Sequence, residues 1–600
     1  MSSKQNSFWK YFWPSLSANF LSSFIRFIFF VFIFLFIIII GAVFGSDDDL
    51  KENTILHLTL EGGIGETTDY NLDPMSFKVQ GKTGLSDILY GLKKAKTDDK
   101  IKGIFLEIKD VNFGYATART IRNAINDFEK SGKFVVAYNS GEYISQKSYY
   151  ISSAANQRYG FPTSTMQFNG LGAEISYFKN TLEKLNVEVE IIRGKNNDFK
   201  SAVEPFYRTN MSDSSRLQIE RYMNSMWGDI CSEIANETKT STSMLNTIAD
   251  SLYIKRAEDA VNYNLLHGVK YRDEVLSILS QKIGHESPED INFYSFQKYA
   301  RNNFQKDQID IDEDEANIAV IVGEGQITTN GNGLTSNNIC KLFREARENK
   351  SIKTIVFRIN SPGGSALASD EIWREVLLTN KTKKVIVSMG DVAASGGYYV
   401  AAPANCIFAE PTTITGSIGV FGMIPYTGKM FENLLGITFD RAQTNKHSIL
   451  STNKKLTEKE LNILQNEVDI TYDQFLSKVA IGRKMTKKEV NNIARGRVWT
   501  GRDALKIGLV DKLGGLNEAI NYAKKTAGIK DAKIIYYPRT SENKFFQFID
   551  QINDDKNNQN RSASFSNGIP AKILKYYNQL ERIEESQGIQ MRLPYDIDVQ

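Results

Sequence analysis

Ser395 is the residue whose setting most directly suggests chemistry. It lies in VIVSMGDVAASGGYY (Val385 to Tyr399), where an apolar, β-leaning run to Met389 reads as a buried strand. Gly390-Asp391 breaks that strand, and Gly396-Gly397 opens a helix that ends before Pro403. A serine at a strand–turn–helix junction exposes its oxygen beside the free N–H groups of the helix, which can hold a developing oxyanion. An ordinary tight turn needs the same small residues, so this stretch alone leaves both readings open. A second junction lies about 30 residues earlier: Ile352 to Asn360 (IKTIVFRIN) reads as a strand, runs into Ser361-Pro362-Gly363-Gly364, and continues as a helical pattern from Ser365 to Leu378. Paired glycines after a strand let backbone approach a ligand closely with N–H groups outward. If the two junctions lie side by side, a serine oxygen and two sets of backbone donors converge, which is the arrangement of an acyl-transfer site.

The elements that must position these groups occur twice. IKGIFLEI (Ile101 to Ile108) matches IKTIVFRI (Ile352 to Ile359), Tyr149-Tyr150 matches Tyr398-Tyr399, and AVNYNLL (Ala260 to Leu266) matches ALKIGLV (Ala504 to Val510), each pair about 250 residues apart. Helical periodicity agrees, with Leu85, Ile88, Leu89 and Leu92 in the first copy and Ile339, Leu342, Phe343 and Ala346 in the second. Strands alternating with such helices imply α/β units. Where the second copy has Ser361-Pro362-Gly363-Gly364, the first has Asp110-Val111-Asn112-Phe113; where the second has Ser395-Gly396-Gly397, the first has Gln146-Lys147-Ser148. Only the second copy can host the nucleophile.

A chain of 600 residues is too long for one core. A net charge of +3 gives no reason to expect a nucleic-acid partner. Cys231, Cys340 and Cys406 have neither metal-ligand nor disulfide spacing and read as buried packing residues. No ligand cluster or phosphate loop points to a metal or cofactor. At the N-terminus, Phe27 to Phe44 runs 18 residues without a charge, about 27 Å as a helix. Lys4, Lys10 and Arg26 precede it and Asp47, Asp48 and Asp49 follow it, which places the N-terminus in the cytoplasm and the rest on the far side. A cleaved signal peptide is the rival reading. The long apolar core and the absence of a small-x-small site favour a retained anchor.

The expected layout is a cytoplasmic tail (1–26), a transmembrane anchor (27–44), a first repeat (56–282), a linker (283–315), a second repeat (316–535) and a C-terminal tail (536–600). The linker carries the acidic run Asp312-Glu313-Asp314-Glu315, read as solvated, and a helix around Phe293 to Phe304. In the tail, Ile552 to Asn567 is polar, Lys572 to Glu585 suits a short amphipathic helix, and the final RLPYDIDV looks extended, with no function assigned.

RINSPGG, then GDVAASGGYY, then TGSIGVFG (Thr415 to Gly422) closely resembles the signal peptide peptidase A (protease IV) family in its double-length bacterial form, within the Clp-protease/crotonase fold group, over roughly residues 20–540. The resemblance implies an α/β fold built as a tandem repeat of two Clp-protease/crotonase-like domains behind one N-terminal transmembrane helix. It implies a membrane-anchored serine endopeptidase that cuts cleaved signal peptides at the bacterial inner membrane, with its catalytic part on the periplasmic face. It also implies a homotetramer that uses no metal or cofactor.

A serine needs a base. Of the four histidines, His57, His267 and His285 lie in the first copy and the linker, and only His447 falls in the second copy, in no recognisable base context. A lysine serves if burial lowers its pKa. Composition does not single one out, but FKSAVEPF (Phe199 to Phe206) resembles the family segment that carries the general-base lysine, which makes Lys200 the base. Ser448 occupies the matching place in the second copy. One copy then holds the amine and the other the hydroxyl, so one working site must lie where the copies meet, within a chain or between neighbours. The N–H groups of Gly396 and of Gly364, or of Gly363, are the expected oxyanion donors. The rival readings are a crotonase-type acyl-CoA enzyme and a non-catalytic scaffold that binds membrane peptides.

Overall fold

The computed structural model describes residues 26–32, 50–68, 71–72, 79–80, 84–194, 196–312, 314–331, 333–538 and 589–592. The chain divides into two units, Met1–Glu52 and Asn53–Gln600. In the first, residues 26–32 are helical. Residues 33–44 of the expected anchor lie outside the described residues, and no described helix is long and apolar enough to cross a membrane.

The second unit is built on two mainly parallel sheets. The first runs in the order Gly268–Val269, Gln157–Gly160, Phe134–Asn139, Ile101–Val111, Thr54–Gly62, Phe293–Ser295, parallel throughout. The second runs Val498–Thr500, Ile414–Gly416, Lys384–Ala394, Thr354–Ser361, Ile318–Glu324, Ile534–Tyr537, and only Val498–Thr500 is antiparallel to its neighbour. Strands such as IKGIFLEI and IKTIVFRI are apolar almost without interruption because helices cover both faces of a parallel sheet. Those helices bury the stripes that their sequences mark: Leu85, Ile88, Leu89 and Leu92 on Leu85–Thr97, and Ile339, Leu342, Phe343 and Ala346 on Ser336–Glu348.

Two expectations need correction. The segment 283–315 carries the expected helix, at Phe296–Asp310 with Phe296 and Ala300 buried, but it also supplies Phe293–Ser295 as the edge strand of the first sheet. The tail does not begin at 536, because Ile534–Tyr537 is the matching edge strand of the second sheet. Each sheet is therefore closed by a strand from the segment that follows it. The strand that leads to Ser395 is also longer than its apolar run, reaching Ala394 through Gly390-Asp391.

A third sheet joins the copies. Its order is Leu334–Thr335, Ile327–Thr328, Gly363–Ser365, Ile589–Arg592, Phe421–Tyr426, Glu188–Arg193. The last pair is antiparallel and in register from Arg193 opposite Phe421 to Glu188 opposite Tyr426, so a strand of the first copy is zipped onto one of the second. Polar ties reinforce the junction. Asp391 accepts hydrogen bonds from Gly114 N–H (3.0 Å), Thr117 N–H (2.8 Å) and the Thr117 hydroxyl (2.6 Å), capping a helix, Tyr115–Glu129, that has no side-chain cap of its own. Glu66 and Arg358 form a fully buried ion pair at 2.8 Å, and Arg119 pairs with the buried Glu410.

Candidate active site

Ser395 sits between the strand Lys384–Ala394 and the helix Gly396–Ala401 with φ +56° and ψ −114°, a backbone conformation that costs an L-residue energy. Its N–H donates to the Gly416 carbonyl (2.8 Å) and its carbonyl accepts from Tyr399 N–H (2.8 Å), which hold the sharp turn in place. The two glycine turns do lie side by side. A methyl group added to Gly363, at φ +100°, would stand 2.7 Å from Gly396 N and 3.0 Å from the Ala394 carbonyl oxygen. Only glycine fits there. The Gly363 N–H is engaged with Ser361 Oγ (3.2 Å), and Gly364 pairs with Ile327 and Met591 in the third sheet.

Lys200 reaches this turn from the first copy. Beyond the zipped strand Glu188–Arg193 the chain is pinned to the second copy: Asn197 Nδ2 donates to the Val420 carbonyl (2.9 Å) and Phe199 N–H to that of Arg495 (3.0 Å). Gln218 then bridges, donating to Phe199 O (3.0 Å) and accepting from Val498 N–H (3.2 Å). Gly496, at φ +77°, packs so closely that a methyl group there would be 2.4 Å from Lys200 Cβ. The amine arrives fully buried, as is Ser395. Lys200 Nζ lies 2.9 Å from Ser395 Oγ, 3.0 Å from Ser417 Oγ and 3.1 Å from the Ser417 carbonyl oxygen, and no carboxylate pairs with it among the described residues. Burial without a counter-charge holds its pKa well below the ordinary lysine value, so the neutral amine is favoured. The contact forms within one chain.

The histidines lie elsewhere. His57 pairs with Glu107 (2.8 Å), His447 with Glu460 (2.9 Å), and His267 accepts from Arg158 N–H (3.2 Å). Ser448 is exposed and donates to the Asn445 carbonyl. All three cysteines are buried and free, with burial pushing Cys231 up to about 12 and Cys340 and Cys406 to about 11.

Comparison with known proteins gives this arrangement a lineage. The sequence profile described as peptidase family S49 matches residues 127–285 and 378–530, together just over half of the chain, and that of Clp protease matches residues 317–413. The chain belongs to peptidase family S49. It is a serine protease of mixed α/β fold, Clp-protease-like in its second part, with S49 segments in both copies. Protease 4 of Salmonella typhi is 32% identical over 88% of this chain and 87% of that protein. The chloroplastic serine protease SPPA of Arabidopsis thaliana is 31% identical over 80% and 70%. The putative signal peptide peptidase SppA of Enterococcus faecium is 34% identical over 33% and 58%.

In this S49 peptidase Ser417 is the site residue that sequence reasoning passed over. It lies inside TGSIGVFG, at φ +49°, with its N–H donating to the Arg497 carbonyl (2.7 Å), and nothing local marks its hydroxyl as a partner for a lysine some 200 residues away. Ser417→Ala removes the side-chain half of the amine's anchorage and leaves the carbonyl half. The expected result is a kcat lower by about ten- to a hundredfold with Tm little changed, measured as steady-state peptide hydrolysis beside thermal melts.

Proposed function

We propose that Ser395 is the nucleophile and Lys200 the general base of a peptide-bond hydrolase acting on signal-peptide remnants at a membrane. Ser395 Oγ attacks the carbonyl carbon of the scissile bond while its proton passes to Lys200 Nζ. The N–H groups of Gly364 and Gly396 hold the resulting oxyanion. As the C–N bond breaks, Lys200 returns the proton to the leaving amine; a water molecule deprotonated by Lys200 then attacks the ester and frees the enzyme. The observation that carries this reading is the 2.9 Å contact between two fully buried groups, an amine and a hydroxyl, with no carboxylate among the described residues to keep the amine charged.

The substrate and its place come from the resemblance. The apolar stretch 27–44, with cations before it and aspartates after it, supports a retained anchor in a bacterial inner membrane with the peptidase on the periplasmic face. There the enzyme meets apolar peptides left in the bilayer, and by resemblance four chains assemble around a shared chamber. A fluorophosphonate tests the chemistry in the full-length chain. Labelling is expected in wild type and expected to vanish in Ser395→Ala, together with cleavage of an apolar signal-peptide fragment followed by mass spectrometry. Labelling that persists in Ser395→Ala, or cleavage that does, overturns the assignment. Alkaline washing of membranes tests the anchor: the full chain should stay bound and a chain lacking residues 27–44 should be released.

A further inference from the structure

The first copy has no nucleophile, yet it keeps the strand–turn–helix unit that presents the glycine turn in the second. Tyr115–Glu129 follows Ile101–Val111 as Ala366–Asn380 follows Thr354–Ser361, at the same spacing along the chain at both helix ends. The start of this helix holds two carboxylates of the second copy. Gly114 N–H, Thr117 N–H and the Thr117 hydroxyl converge on Asp391. Gly114 comes so close that a methyl group there would stand 2.2 Å from the Asp391 carboxyl carbon. Further along the helix, the Thr120 hydroxyl (2.9 Å) and the Arg119 guanidinium bind Glu410, which is 1% exposed.

The two carboxylates stand at the two roots of the candidate site. Asp391 lies on the strand that ends at Ala394, beside Ser395. Glu410 opens the turn before Ile414–Gly416: its N–H donates to Thr413 Oγ1 (3.0 Å), whose hydroxyl donates in turn to the Gly390 carbonyl next to Asp391 (2.8 Å). Ile414–Gly416 pairs with residues 392–394, offers the Gly416 carbonyl to Ser395 N–H (2.8 Å) and leads into Ser417, the partner of Lys200. The helix thus grips one carboxylate on the way to the nucleophile and another on the way to the residue that anchors the amine. Lys200 belongs to the same copy as the helix. A slip of about 1 Å between the copies would be felt at the 2.9 Å contact between Lys200 Nζ and Ser395 Oγ.

From this arrangement we infer that Tyr115–Glu129 is a positioning clamp for the dyad, and that Asp391 and Glu410 are the positioning residues through which the first copy sets the separation of Lys200 and Ser395. The inference rests on the Ser/Lys reading above and adds to it the groups, outside the site, that hold its two halves within reach. Backbone N–H groups and the helix dipole favour the Asp391 carboxylate, and charge-assisted bonds of this kind fix direction as well as distance. Neither carboxylate hydrogen-bonds to Ser395 or Lys200, so each acts only through the strand that bears it.

The test uses the full-length chain and loosens the clamp from both sides. Asp391→Ala removes the carboxylate, and Gly114→Ala pushes a methyl group into its place. Each is expected to lower kcat and the rate of fluorophosphonate labelling of Ser395 by at least about tenfold, with KM within about twofold of wild type. The acid limb of kcat/KM should move to higher pH in both, because an amine no longer held out of water returns towards 10.5. Asp391→Asn keeps an acceptor for Thr117 and should recover part of the loss. The double variant Gly114→Ala/Asp391→Ala should be no slower than Asp391→Ala alone, since the methyl group then has nothing to displace. If either alanine variant fails to fold, Asp391→Asn and Thr117→Val, which leaves both backbone bonds in place, carry the same readouts with smaller losses. A lower Tm with kcat, labelling rate and acid limb all at wild-type values makes the contact a structural tie only and overturns the clamp, as do losses that simply add in the double variant. Either result leaves the peptidase reading standing if Ser395→Ala still abolishes labelling. Absence of labelling in wild type removes that reading and this inference with it.

Discussion

Lys200→Met is expected to lower kcat by at least about 10⁴ while leaving Tm at or above that of wild type. The two halves of this result share one cause. The amine is fully buried and its partners among the described residues are neutral, the Ser395 and Ser417 hydroxyls and the Ser417 carbonyl, so the fold favours its neutral form and disfavours the ammonium. In the unfolded chain the amine returns towards its ordinary value of 10.5 and takes up a proton. Between the lowered folded value and 10.5 the unfolded state therefore binds more protons, and the folded state is stabilised as pH rises through that window. Methionine fills similar volume and carries no proton, so its Tm advantage over wild type should be largest at acid pH and shrink as pH rises. Activity of the wild type should rise with pH through the same lowered value, because only the neutral amine can accept the Ser395 proton. Lys200→Arg separates charge from shape: a guanidinium cannot give up its proton, so it should be inactive and, with no carboxylate nearby, less stable than wild type. Melting curves and kcat/KM across pH for the three proteins check all of this. A Met variant that melts well below wild type at acid pH would mean that the amine is not held neutral.

What could be read without a structure follows from how local each determinant is. Ser395 and the Ser361–Gly364 turn were legible because strand, break, paired glycines and helix all fall within about fifteen residues, and the backbone geometry they need is dictated by those residues alone. Lys200 was not legible in that sense; FKSAVEPF singled it out only through family resemblance. Its surroundings include Gly496 and Ser417, both more than 200 residues away, and no periodicity records a contact of that kind. Ser417 stayed silent for the same reason, although its motif was in view. Phe293–Ser295 was hidden inside what read as a linker because an edge strand of three residues, two of them exposed, carries no apolar run. In the acidic run beyond it, Glu315 pairs with an exposed lysine, Lys533, as a solvated segment would. Ile589–Arg592 is shorter than any window in which alternation is detectable, and three of its five partners are glycines, which leave no complementary side-chain pattern to find.

Arg358→Leu is expected to destabilise the second unit by about 3–5 kcal/mol and to abolish activity through loss of the fold's junction, although Arg358 touches neither Ser395 nor Lys200. The guanidinium is buried in the strand Thr354–Ser361, which leads into the glycine turn, and it binds both carboxylate oxygens of Glu66 (2.8 and 3.1 Å), a residue of the first copy. It also donates to Ser388 Oγ (3.0 Å) and the Met389 carbonyl (2.7 Å) on the strand that leads to Ser395. One side chain thus ties the first copy to both strands whose ends build the site. Removing it leaves a buried carboxylate without its counter-charge, and the cost is that of the orphaned charge more than of the lost attraction. The double variant Glu66→Leu/Arg358→Leu should therefore recover much of the stability lost by Arg358→Leu alone. Chemical denaturation of wild type, both single variants and the double variant gives the coupling between the two positions. Strict additivity in that cycle would show that Glu66 and Arg358 act independently and that the junction is held by the sheet alone. Recovery of stability without recovery of activity would place the pair's second role in alignment, since leucines can fill the space but cannot hold Ser388 and Met389 on the strand that leads to Ser395.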